Sequence, residues 1–204
     1  KFCHPVCLKL LLSTAKYPIF FLYLELYEPV NLIIKTSKTD INTFAAHLQN
    51  IKTKLKIKKS YKNEIYMIGM MDKPEYISLL SKSHRFVMPS RGEAFCIPAL
   101  EAMMLGVPVI HTKNTGMDDF CIGEAVESIA TPCFGAMSTI SNLDTAQSDW
   151  QEINLKELCS AMRMAYSQWN SSEEKIKRQQ AIAEAKKYDH LPIGQEMKEL
   201  LNDS

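Results

Sequence analysis

Between Ser90 and Ile110 the chain reads SRGEAFCIPALEAMMLGVPVI, a stretch compatible with few folds. Pro98 suits a first helical turn, where its missing N–H costs nothing. Ala99, Leu100, Ala102, Met103, Met104 and Leu105 are strong helix formers. Gly106 stands where a left-handed residue closes a helix cheaply. Val107 to Ile110 then reads as a buried strand, and Phe86 to Met88 as the strand before it. The unit is strand, loop (Pro89 to Phe95), helix (about Ile97 to Leu105), strand. That is a βαβ crossover, and it requires a parallel sheet.

The alternation continues on both sides. Val30 to Ile34 is an apolar, β-branched run. Asp40 can cap a helix to about Leu55, with Ile41, Phe44, Ala45, Leu48 and Ile51 on one face. Ile65 to Ile68 is a short strand closed by Gly69, and Asp72 can cap a helix through Leu80 with Pro74 in its first turn. A further strand is expected near Val126 to Ile129, followed by a loop with Pro132 and Gly135. The last third is helical. Asn154 with Glu157 forms a capping box before the stripe Leu155, Leu158, Met162, Ala165, Tyr166 and Trp169. Ser171 with Glu174 starts a helix ending near Tyr188, and Ile193 to Leu201 is a last amphipathic one. These readings give an α/β fold with a doubly wound, Rossmann-like parallel sheet. One domain over residues 1–204 is expected, with 1–28 poorly defined and helices over 150–204.

Composition excludes more than it assigns. A 46% hydrophobic chain of 204 residues can bury one core. The net charge of +1 makes no case for nucleic acid or an anionic membrane. Cys3, Cys7, Cys96, Cys121, Cys133 and Cys159 are scattered without a CxxC, so free thiols in a reducing, cytoplasmic setting are the default. Cys3, His4 and Cys7 lack the second pair that a structural zinc needs. Leu8 to Tyr27 is interrupted by Lys16, Pro18 and Glu25; its longest clean run, Tyr17 to Leu24, is too short to span a bilayer, no cleavage site follows, and the stretch reads as a core helix. There is no initiator Met, so the start is open to being a fragment boundary. Lys52 to Lys62 reads as a solvated connector rather than a phosphate contact.

Ligands of open parallel sheets bind beyond the carboxyl ends of the strands. Four loops meet that condition: Lys35-Thr36-Ser37, Gly69 to Asp72, Pro89 to Phe95, and His111 to Phe120. Ser90, Arg91, Gly92, Glu93, Thr115, Gly116 and Asp118 gather in them. Glu93 precedes the helix start and Glu101 lies on its second turn. First-turn N–H groups suit a phosphate and the carboxylates suit sugar hydroxyls. Each residue also has a plain structural reading. The helix dipole alone stabilises Glu101 by roughly 0.3–1 kcal/mol. Glu93 can be a solvated loop acid, Asp118 and Asp119 caps of a short helix, and Arg91 half of an ion pair. His84 and His111 read as structural, and Met67, Met70 and Met71 as mostly core, although an apolar loop after Gly69 could pack on a flat base.

Ser90 to Phe95 through Glu101-Ala102-Met103, then Gly106 to Ile110 and Thr115-Gly116-Met117, resembles the donor half of GT-B glycosyltransferases of the glycogen-synthase-like group 1, family 4. Glu93 and Glu101 match the family's Glu-x7-Glu signature. Tyr66 to Gly69, Tyr76 to Leu80 and Phe86 to Ser90 match its layout, and Trp150 to Tyr166 does so more weakly. The resemblance runs from roughly Pro29 to the end and implies the C-terminal half of a GT-B fold. It implies metal-independent, retaining transfer of a hexose from a nucleotide-diphosphate sugar, of UDP or GDP type, without a further cofactor. Glu93 would hold sugar hydroxyls and stabilise developing charge, and Glu101 would hold the ribose. The backbone of Phe95, Cys96 and Ile97 would take the diphosphate, with Arg91 nearby. Gly69 to Met71 would lie against the base. No Asp-x-Asp occurs, which fits a site that works without a metal.

Three departures stand out. Cys96 replaces a small residue, commonly Gly. The usual Arg and Lys after the domain's first strand have no clear counterpart; Lys1, Lys9 and Lys35 are the candidates, with Lys35 best placed. The N-terminal acceptor domain is absent, so a partner domain in cis or trans would complete the cleft. Two rivals follow: a sugar-nucleotide-binding or regulatory module without turnover, and an epimerase on the same scaffold.

Overall fold

The structure is a computed structural model. It describes residues 8–12, 30–36, 64–132 and 149–202, together with Asn42, Ala46, Gln49 and Thr53. Six strands form one parallel sheet: β1 (Leu8–Leu12), β2 (Val30–Thr36), β3 (Glu64–Ile68), β4 (Arg85–Met88), β5 (Val109–Thr112) and β6 (Gly123–Val126). Their spatial order is β3-β2-β1-β4-β5-β6. The connections run one way from β1 and the other way from β4, so the order reverses between these two strands. That reversal opens a crevice at the carboxyl edge. An antiparallel pair, β7 (Ser128–Pro132) and β8 (Asp149–Ile153), stands apart from the sheet.

Helix α1 (Lys73–Ser81) begins at Asp72, whose carboxylate accepts the Glu75 N–H at 2.8 Å. Helix α2 (Ile97–Met104) closes on Gly106, which takes the left-handed φ of 70° that a glycine adopts without strain. Helix α3 (Leu155–Gln168) is capped by Asn154, which accepts from the Lys156 and Glu157 N–H groups. Helix α4 (Ser172–Ala185) is capped by Ser171, which accepts from the Glu174 N–H. A 3-10 turn (Lys186–Tyr188) leads to α5 (His190–Asn202), which buries no residue.

The main core lies between the sheet and α2, with α4 packed outside α2. Phe86, Met88 and Val109 meet Ala99, Ala102 and Met103, and Ala181 and Ala185 close the layer. Where the helices cross, Gly106 lies against Ile182. A charged bolt passes through this layer at the amino end of the sheet. Arg85, 1% exposed, donates two hydrogen bonds of 2.5 Å to Glu174 and longer ones to Glu124. Lys177 adds a 2.5 Å contact to Glu124.

Several expectations need correction. Leu8 to Tyr27 does not begin as a helix: Leu8–Leu12 is β1, held between β2 and β4. Leucine favours helices, and a strand in the middle of a parallel sheet need show no alternation to betray it. The rest of that stretch lies outside the described residues, as do Cys3, His4, Cys7, Lys1 and most of Lys52 to Lys62. Lys9 stands mid-strand, paired in register with Asn31. The strand expected at Val107 to Ile110 sits two residues later, placing His111 and Thr112 inside it. The strand expected at Val126 to Ile129 is split into β6 and β7 around Glu127. β8 carried no sequence signal strong enough to be expected. Asn42, Ala46, Gln49 and Thr53 are helical, within the helix expected from Asp40; its other residues lie outside the described ones.

Candidate functional site

The loop after β4 and the start of α2 flank the switch point. Pro89 is buried at the strand end, and Ser90 Oγ donates to the Gly92 carbonyl at 2.9 Å, folding the loop back. Glu93 is half-buried. The first turn of α2 has no side-chain cap: Cys96 occupies that position with its thiol in the core, 3% exposed. The thiol is buried at the helix start, beside the Ala99 N–H. Burial pushes the Cys96 thiol up to about 11, with the charges of Glu93 and Glu101 adding to the shift. Both carboxylates thus lie near this one N-terminus.

Glu101 is held. Lys73, on the first turn of α1, pairs with its carboxylate, and the Tyr76 hydroxyl is pushed upward by burial and then by Glu101. The Lys73 side chain is 63% exposed, so the pair is weak, about 0.2–1 kcal/mol, and a ligand can displace it. Lys35, at the end of β2, donates to the Gly69 carbonyl at 2.6 Å and ties the first two loops together. Gly69 has φ 97°, open to glycine. Met71 is half-buried, whereas Met70 is 84% exposed and not core, because the chain turns outward after Gly69.

The fourth loop closes on the third. Gly116 N–H donates to the Glu93 carbonyl at 2.9 Å, and a Cβ at Gly116 would overlap the Ala94 carbonyl. Asp118 and Asp119 lie within a 3-10 turn (Gly116–Asp119) rather than capping a helix. One Asp118 oxygen meets buried His111 Nε2 at 2.9 Å and the other accepts the Asn114 N–H at 2.7 Å. Burial lowers the His111 pKa, with Asp118 opposing the shift. The Phe95 ring leaves the helix mouth and stacks on Phe120 at 4.8 Å, with Tyr188 at 5.7 Å, while Ile97 is 58% exposed. Arg91 pairs with Glu152 on β8, and the Arg91 carbonyl accepts the Gln151 N–H at 2.8 Å. The guanidinium thus braces the loop against the β7–β8 pair, where Trp150 lies over Gly92. His84 stacks edge-on against Trp169 at 5.6 Å.

The structure therefore brings Glu93, Glu101 and the Phe95–Ile97 backbone to one helix mouth, with Gly69, Met71 and Lys35 on the neighbouring loops. Lys73 and Tyr76 were missed. Neither carries a local signal, since their partner is on another helix. Among the described residues no group of three His, Cys, Asp or Glu side chains could hold a metal ion. No helix among them is long and apolar enough to cross a membrane.

This Rossmann-like architecture is shared with solved GT-B glycosyltransferase structures. It resembles Anabaena Alr3699/HepE, solved with UDP and glucose, with a TM-score of 0.63 at 14% identity over 97% of this chain and 49% of that one. The catalytic domain of the Helicobacter pylori cholesterol-alpha-glucosyltransferase matches with a TM-score of 0.59 at 15% identity, over 91% of this chain and 100% of that one. Residues 46–138 match the family model for glycosyl transferases group 1, the family recognised above from residues 90–117. The O-antigen biosynthesis glycosyltransferase WclY of Escherichia coli is 46% identical over 50 residues. That segment is 24% of this chain and 13% of WclY; the chain spans about half the length of HepE.

Proposed function

We propose that this chain is the donor-binding half of a retaining, metal-independent glycosyltransferase that moves a hexose from a nucleotide-diphosphate sugar. The observation carrying this reading is the mouth of α2. No side chain caps it, it stands beside the strand-order reversal, and Glu93 and Glu101 bracket it. The N–H groups of a helix start and its dipole suit a diphosphate. Glu101 releases Lys73 and takes the ribose diol. Glu93 takes sugar hydroxyls and stabilises charge at the anomeric carbon. Gly69 to Met71 lie against the base. Among the described residues, Lys35 on the first loop and Lys73 beside Glu101 would be the cations available to the leaving diphosphate, while Arg91 acts by bracing the loop. The UDP and glucose bound to HepE support a donor of this class.

The acceptor would come from a second domain, in cis or trans, so this chain alone binds donor without transferring sugar. Calorimetry with UDP-, GDP- and ADP-sugars tests the reading. At least one donor is expected to bind, and Glu101→Ala is expected to weaken it at least about tenfold, or about 1.4 kcal/mol. Glu93→Ala is expected to erase the preference for sugar nucleotide over free nucleotide. Equal binding by wild type and Glu101→Ala would remove the assignment.

A further inference from the structure

His111 is a costly residue for its place. It lies in β5, 2% exposed, with Nε2 on Asp118 and with Nδ1 buried and without a hydrogen-bond partner. Among the described residues only Thr112 Oγ1 shares that condition. A strand interior is filled more cheaply by an apolar side chain, so the imidazole is explained by its one bond. That bond fixes Asp118, an exposed residue of the loop above.

From Asp118 the connection continues to the donor site. Its second oxygen accepts the Asn114 N–H, holding Asn114 in the left-handed region at φ 61°, a conformation that non-glycine residues seldom adopt. Thr115 Oγ1 donates to the Thr112 carbonyl at 2.9 Å, and the Asp118 N–H donates to the Thr115 carbonyl at 3.0 Å. The turn so fixed presents Gly116, whose N–H holds the Glu93 carbonyl. The approach is too close for any side chain at Gly116, so a small displacement of the turn moves the Glu93 backbone.

We propose that His111 and Asp118 are a positioning pair for the donor site: the imidazole orients Asp118, Asp118 sets the Asn114–Gly116 turn, and Gly116 aims Glu93. This rests on the donor reading above for its consequence, but not for its geometry. The pair touches no substrate. It governs the sugar end of the site, where Glu93 stands, and leaves the nucleotide end, where Glu101 stands, unchanged.

The test uses the full 204-residue chain with His111→Leu, His111→Gln and Asp118→Ala. One readout is calorimetric affinity for UDP-glucose against UDP and for GDP-mannose against GDP. The other is hydrogen exchange at the Gly116 amide. His111→Leu and Asp118→Ala are each expected to lower the preference for sugar nucleotide about tenfold while nucleotide affinity stays within about twofold. Gly116 exchange is expected to rise at least about tenfold in both. His111→Gln, which keeps an N–H donor near the Nε2 position, is expected to restore both readouts. Unchanged Gly116 exchange in both disrupting variants overturns the proposal. So does faster exchange with an undiminished preference. If wild type binds no sugar nucleotide, the donor reading falls, and the exchange data alone judge the pair. Asp118 is exposed, so its variant keeps the test decisive if His111→Leu fails to fold.

Discussion

At the residue scale, Cys96 shows how a departure from a family pattern is absorbed. The side chain is buried in the core at the start of α2, so a thiol is accommodated there. Burial sets its chemistry. Cys96 and Cys159 are raised to about 11, and Cys121 is raised as well. An unfolded thiol titrates near about 8.5, so between that value and about 11 the unfolded chain loses protons that the folded chain keeps. Thiol-linked stability is therefore full below about pH 8.5 and falls as pH rises. The urea midpoint is expected to drop from pH 8 to 10.5, with a shallower drop in Cys96→Ala/Cys159→Ala; parallel slopes would refute it. Gly116→Ala is the sharper local test. With no room for a Cβ, the 115–119 turn must lift from Glu93, and stability is expected to fall by at least about 1 kcal/mol in urea titration. Glu93 and Glu101 were readable because their spacing sits on a recognisable βαβ frame. Lys73 was not, because its meaning depends on a carboxylate 28 residues away.

At the element scale, α4 is fixed by apolar contact and by one buried ion pair. Arg85 and Glu174 satisfy each other bidentately, and removing Glu174 leaves the buried guanidinium with its longer contacts to Glu124. Glu174→Ala is expected to cost at least about 1.5 kcal/mol, measured by chemical denaturation, a larger loss than for Glu173→Ala on the exposed face. The cap of α3 is a milder case: Asn154→Ala is expected to cost about 1 kcal/mol, since two first-turn N–H groups lose their acceptor. Helix boundaries were legible because Asp72, Asn154, Ser171 and Gly106 act within one turn of themselves. Strands fared worse. Leu8–Leu12 reads as readily as a helix, and β8 depends on a partner strand rather than on its own residues.

At the scale of the whole molecule, donor binding should appear as stability. At a donor concentration 100 times the dissociation constant, the chain is expected to gain about 2.7 kcal/mol, read as a rise in Tm; Glu101→Ala should abolish the rise. No sugar transfer is expected from the chain alone, and appearance of product would contradict the need for a second domain. The sequence by itself determined the parallel α/β class, the helix that starts near Ile97 and the positions of an acid just before it and another on its second turn. Those follow from propensities and spacings that act over a few residues. Only the tertiary structure decided that β1 lies at the centre of the sheet, that Arg91 braces a hairpin, that Lys73 guards Glu101 and that His111 reaches Glu93 through a turn. Each of these joins residues far apart in the chain, and the free energy that selects such a pairing exists only once the core has brought them together.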